Sequence, residues 1–151
     1  MNALELLKED HDKVRDLLSQ LTESTEHAEK TRSELLTKIE KELSVHTQIE
    51  EEIFYPALQK ADGKESEKMN AEAREEHRAV SDLVLPDLKK ANPSGIEFSG
   101  RAKVLKELVE HHAEEEEDEM FEQARKILSE DELNELGEKL EARKKELMSA
   151  A

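Results

Sequence analysis

Four of the six histidines occupy positions that helical periodicity assigns to a core. The stripe Leu4, Leu7, His11, Val14, Leu18, Leu21 advances in steps of three and four, the seam of a helix packed against others. A second stripe reads Leu36, Ile39, Leu43, His46, Glu50, Ile53, Ala57, and a third Asn70, Ala73, His77, Val80, Val84. The fourth is Leu105, Val109, His112, Glu116, Met120, Ala124, Ile127. His46 and His112 each have a glutamate four residues on, whereas Arg15 and Ser81 follow His11 and His77 at that spacing. Four imidazoles and two carboxylates turned into one apolar interior are costly to bury without a strong partner, and two metal ions supply one.

The rest of the chain agrees with helices. Charged residues make up 41% of the 151 positions, with four glycines and three prolines, a composition that with this period reads as long helices rather than disorder. No sustained alternation or β-branched run suggests a strand. The length suits one domain over residues 1–151, with a four-helix bundle over about 1–128 and a C-terminal helix over about 130–148. Ser129 and Glu132 have the capping-box spacing, and Leu133, Leu136, Leu140 and Leu147 form the last stripe. That helix is read as a cover for the bundle, or alternatively as a dimer face, so monomer and dimer both stay open. The second helix is expected from about Thr31 to Lys60, ending at Asp62-Gly63, with a kink at Pro56. Pro86 predicts a kink or an early end, and Asn92-Pro93-Ser94-Gly95 a turn.

A net charge of −16 argues against nucleic acid and against anionic membranes as partners, because both need a basic face. No apolar run approaches a membrane span, and the first residues, MNALELLKEDHDK, lack the basic and long apolar regions of a signal peptide. The absence of cysteine removes disulfides, thiolate metal sites and thiol chemistry. A cytoplasmic protein is the resulting expectation.

Residues four apart on a helix share a face. His46 with Glu50 and His112 with Glu116 therefore point together into an up-down bundle, joined by His11 and His77. Helix two carries HTQIEEEIFYP and helix four HAEEEEDEMFE, so the chain resembles two copies of a helix pair, each supplying half a site. If both glutamates bridge, two metals receive four protein atoms each. An oxo or hydroxo bridge brings each to five and leaves one octahedral position for a small molecule. Imidazole and carboxylate together suit iron, and also manganese or zinc, and ligand type alone does not choose between them. The Glu-x-x-His spacing of ferritin-like bundles and the H-E-x-x-H of metalloproteases are both missing. His111 with Glu115 is a competing pair one residue away, but alignment of the two motifs through the aromatics Tyr55 and Phe121 favours His112, and His27 lies in a polar stretch. Glu51, Glu52 and most of Glu114 to Glu119 are read as solvated surface. Phe54, Met120 and Phe121 are read as core, with a gas pocket as the alternative. Tyr55 lies about 180° around an ideal helix from His46, which points it away from the site.

At these residues the sequence resembles the hemerythrin-like, or HHE cation-binding, family. The marks are His11, HTQIEEEIFYP with His46 and Glu50, His77, and EHHAEEEEDEMF with His112 and Glu116, spread over roughly residues 1–128. The resemblance implies an up-down bundle around a carboxylate-bridged pair of iron ions. Oxygen-carrying members have a His-x-x-x-His pair on the third helix. Here Ala73 and Ser81 flank His77 at that spacing. The set of four histidines and two glutamates is more similar to bacterial di-iron proteins linked to oxidative and nitrosative stress. The implied ligands are peroxide, nitric oxide or dioxygen, with either turnover of a catalase-like or nitric-oxide-reactive kind, or binding and sensing without it.

Overall fold

The computed structural model describes residues 1–150, which form five helices and, among the described residues, no strand. Helix α1 spans Ala3–Glu23, opened by Asn2, whose side chain accepts the Glu5 amide at 2.9 Å. Helix α2 runs Glu29–Ile49, passes through a π-helical turn at Glu50–Phe54 and continues as Tyr55–Asp62. It stops at Gly63, whose φ of +64° suits a residue without a side chain. Helix α3 comprises Lys64–Arg78, a π turn at Ala79–Val84 and Leu85–Lys90. Helix α4 comprises Ile96–Glu115, a π turn at Glu116–Met120 and Phe121–Ile127. Helix α5, Glu130–Ser149, opens with the expected capping box between Ser129 and Glu132. No described helix is long and apolar enough to cross a membrane.

Two of the three π turns lie just before Pro56 and Pro86, where kinks were expected. In all three, an amide donates five residues back: Tyr55 to the Glu50 carbonyl, Leu85 to Val80, and Phe121 to Glu116. Pro56 and Pro86 stand second in the α-helical segments after these turns, so each helix continues past its proline. The Glu51 carbonyl, five residues before Pro56, accepts the Arg74 guanidinium at 3.3 Å instead of a ladder amide. The α4 turn has no proline, so proline is not the common cause. The common feature is position, because the turns begin at Glu50, two residues after His77, and at Glu116.

A π turn adds one residue to the helical circuit and rotates the residues beyond it by about 100° relative to an α-helix. The core stripes shift accordingly. In α2 the fully buried residues after Glu50 are Phe54, Tyr55 and Leu58, while Ile53 and Ala57 are half-buried. Past the turn in α3 the buried residues are Leu85 and Leu88 rather than Val80 and Val84, and just beyond α4 Leu128 is buried where Ile127 was expected.

The apolar interior has two parts. One includes Leu4, Leu7, Phe54, Leu58, Met120, Phe121 and the α5 leucines Leu133, Leu136 and Leu140. The other includes Val14, Leu18, Ile39, Leu43, Leu85, Phe98 and Leu105. The stripe histidines lie between them along the chain, in a polar layer closed on both sides. Helix α5 covers the first part, as expected. Its contact with the chain start is so close that a Cβ on Gly137 would lie 2.8 Å from the Asn2 carbonyl carbon and 2.9 Å from the Ala3 nitrogen.

Candidate metal centre

His11 reaches the polar layer from α1, His46 and Glu50 from α2, His77 from α3, and His112 and Glu116 from α4. Five of the six are buried, and the His112 side chain is only 12% exposed. They form two overlapping sets of four, His11/His46/Glu50/Glu116 and Glu50/His77/His112/Glu116. Within each set the ligand-capable atoms lie within 4.8 Å of one another, a spacing that can hold a metal ion. The two glutamates are the shared members. Glu116 faces His11 Nε2 through Oε1 at 3.1 Å and His112 Nε2 through Oε2 at 3.4 Å. Glu50 Oε1 lies 3.1 Å from His46 Nε2 and 3.2 Å from His77 Nε2.

Each imidazole presents Nδ1 to a further carboxylate, and the four pairings close a ring around the bundle. Asp10 of α1 meets His46 of α2 at 2.8 Å, and Glu51 of α2 meets His77 of α3 at 2.8 Å. Glu76 of α3 meets His112 of α4 at 2.6 Å, and Glu117 of α4 returns to His11 of α1 at 2.7 Å. An outer carboxylate that accepts Nδ1–H fixes the tautomer and leaves the Nε2 lone pair facing inward. The inward atoms are then short of partners. His11 Nε2, His46 Nε2, Glu50 Oε2 and Glu116 Oε1 are buried with no hydrogen bond of acceptable geometry. His77 Nε2 and His112 Nε2 face each other at 3.1 Å. Buried lone pairs aimed at one another need a cation between them, either a proton or a metal.

The titration behaviour arises from this crowding. Burial opposes charge on His112, but hydrogen bonds to Glu116 and Glu76 outweigh it and hold the pKa at about 10. Burial likewise opposes charge on His11, His46 and His77, and the carboxylates beside them raise all three. Burial pushes the Asp10 carboxyl up, but His46 and Lys144 bring it below its ordinary value. Glu116 is held well down by its bonding partners despite complete burial.

The outer carboxylates correct the reading of Glu51 and Glu117 as plain surface. Asp10, Glu51, Glu76 and Glu117 each stand one residue from a ligand-capable member of the cluster in sequence. One residue is about 100° on a helix, enough to turn a side chain toward the neighbouring helix. That adjacency was the available signal. Tyr55 is a second correction. The π turn carries it round to the centre, where it is buried and its hydroxyl donates to Glu116 Oε2 at 2.7 Å. Its oxygen also lies 3.3 Å from Glu50 Oε1 and from His77 Nε2.

Between His111 and His112, the fold places His112 inside. The His111 side chain is 65% exposed and pairs with Glu115 at 3.4 Å. His27 is exposed. Phe54, Met120 and Phe121 are core, and the Phe121 ring stacks on His11 with centroids 5.9 Å apart. A cavity of about 30 Å³ touches all four clustered histidines, with apolar walls from Val14, Leu43, Val80 and Val109.

Known proteins are similar to this chain. The Hemerythrin HHE cation binding domain matches residues 2–124. A crystal structure of an HHE cation binding domain-containing protein from Mycobacterium kansasii superposes with a TM-score of 0.85 at 34% identity. The match covers 98% of this chain and 88% of that one. An uncharacterised Mycobacterium tuberculosis protein is 32% identical over 97% of this chain and 88% of its own length. A Nostoc protein named DNA nickase is 28% identical over 97% of this chain, which spans 40% of that protein. With its fold, its His/Glu cluster and a domain match over most of its length, this chain belongs to the hemerythrin HHE cation-binding family.

Proposed function

We propose that the polar layer holds two iron ions and reacts with peroxide, nitric oxide or dioxygen. His11 and His46 would hold one ion, His77 and His112 the other, and Glu50 and Glu116 would bridge them. The observation that carries the reading is the set of buried inward atoms without hydrogen-bond partners, behind which every Nδ1 already meets a carboxylate. This donor set fits iron, being mixed imidazole and carboxylate, buried, and backed by outer hydrogen bonds. Glu50 and Glu116, which pair with no Lys or Arg among the described residues, would offset part of the charge of two cations.

The ions would supply the redox chemistry, and the protein supplies placement and exclusion of water. The outer carboxylates orient the four rings. Tyr55 donates to Glu116 and steadies the oxygen nearest His112. The apolar walls of the adjoining cavity admit a small uncharged molecule more readily than a charged one, and its volume suits a diatomic or one water. The activity named for the Nostoc relative is not carried over. The chain spans 40% of that protein, and its formal charge of −16 opposes a polyanion.

Metal analysis with an absorption spectrum tests the proposal. Two irons per chain, lost in His46→Ala, support it, and less than one iron per chain after reconstitution sinks it. Peroxide or nitric oxide consumption that disappears in the same variant marks turnover. Stable azide or oxygen adducts without consumption mark a binding or sensing module.

A further inference from the structure

The proposed centre has four outer carboxylates, and their surroundings differ. Glu117 is paired with Arg15 at 2.9 Å, while Glu51 has Arg74 at 3.6 Å. Among the described residues no Lys or Arg pairs with Glu76. Asp10 is the most buried of the four, at 2% exposure, and its partner comes from outside the bundle. Lys144, on α5, pairs with Asp10 Oδ1 while Oδ2 holds His46 Nδ1. Helix α5 begins at Glu130, beyond the matched residues 2–124. The helix that reads as a cover therefore reaches the second layer of the centre.

From this geometry we infer that Lys144 is a positioning residue for the His11/His46 metal position, acting through Asp10 and His46. The inference rests on the dinuclear reading and adds a regulatory asymmetry to it. A buried carboxylate needs a counter-charge to stay ionised and in place. Lys144 supplies that charge, so Asp10 can keep His46 in the Nδ1–H tautomer with Nε2 directed at the metal. Its side chain is 27% exposed, whereas Asp10 is buried. The other position has no equivalent contact from α5. Docking of α5 thus sets the hold on one metal and leaves the other unaltered.

A simple docking role makes a different prediction. Helix α5 is also tied to α2 by Arg143 with Glu52 at 2.9 Å and by Lys41 Nζ donating to the Leu147 carbonyl at 2.9 Å. Arg143→Met loosens α5 without touching Asp10. Co(II) titrations of the full chain, followed by absorption, separate the two roles. In Lys144→Met one of two ions is expected to bind about 10-fold more weakly, the scale of losing an outer partner of a metal-bound imidazole. The second affinity stays at the wild-type value, Lys144→Arg restores the first, and Arg143→Met changes neither. Thermal melts of each variant confirm folding. Unchanged affinities in Lys144→Met, or equal weakening of both ions there and in Arg143→Met, overturn the inference while the dinuclear reading stands. Wild type that takes up no Co(II) and no iron overturns both.

Discussion

Glu50 and Glu116 have almost no exposed surface and face all four clustered histidines between them. On the proposed ligation, Glu50→Ala and Glu116→Ala each remove a bridge. Each variant is expected to lose magnetic coupling between the irons and at least one iron per chain. Fully loaded, antiferromagnetically coupled iron in both would rule out bridging. Glu76 is a different case, because it acts only through His112 Nδ1. Glu76→Ala should weaken metal binding by about 10–100-fold without abolishing it, as losses of outer hydrogen-bond partners do. A Co(II) titration reads the difference. The inner six residues were legible because i+4 spacing and stripe membership are properties of a single helix. The outer four were not, because a carboxylate one position away points to whatever helix lies alongside, and only packing decides which.

Helices α2, α3 and α4 each carry a π turn at the level of the centre, and α1 carries none. The wide turn lets α2 direct His46 and Glu50 inward and then bring Tyr55 to the same point, which an unbroken α-helix cannot do. It also lets α2 and α3 continue beyond their prolines. Helix α5 depends on local chemistry at its start and on shape in its middle. Ser129→Ala removes one half of the capping box and should cost about 1 kcal/mol. Gly137→Ala places a methyl against the Asn2 backbone and should cost more, roughly 1–3 kcal/mol, the range for overpacking a closed contact. Urea melts of the metal-free protein, compared at constant slope, would rank the two. An equal or smaller effect for Gly137→Ala would show that the chain start gives way.

At the scale of the whole molecule, the centre is a layer of charge between two apolar regions, and stability depends on what neutralises it. In metal-free protein the four histidines have folded pKa values above the ordinary 6.5, with His112 at about 10. Groups raised in this way stabilise the fold fully below the unfolded value and lose that contribution as pH climbs through the folded one. The melting temperature of the metal-free protein should therefore fall between about pH 6.5 and 10. Metal needs the same imidazoles without protons, so its affinity should rise over that interval. Thermal melts across pH, with chelator and with added Fe(II), would show the two curves diverging as pH increases. Parallel curves would mean that the histidines do not share their protons with a metal.

Sequence alone determined the helical class, the bundle with its extra C-terminal helix, and which face of each helix carries the histidines, Glu50 and Glu116. These features come from periodicity, and periodicity is local. The tertiary structure decided what lies across space. It brought Tyr55 to the centre, passed a carboxylate from each bundle helix to the next, and placed Lys144 behind Asp10. The physical reason is that an α-helical register predicts direction only while the register holds. Here it widens at three turns beside the polar layer, and a hydrogen-bond partner on another helix is set by how those helices rotate against one another.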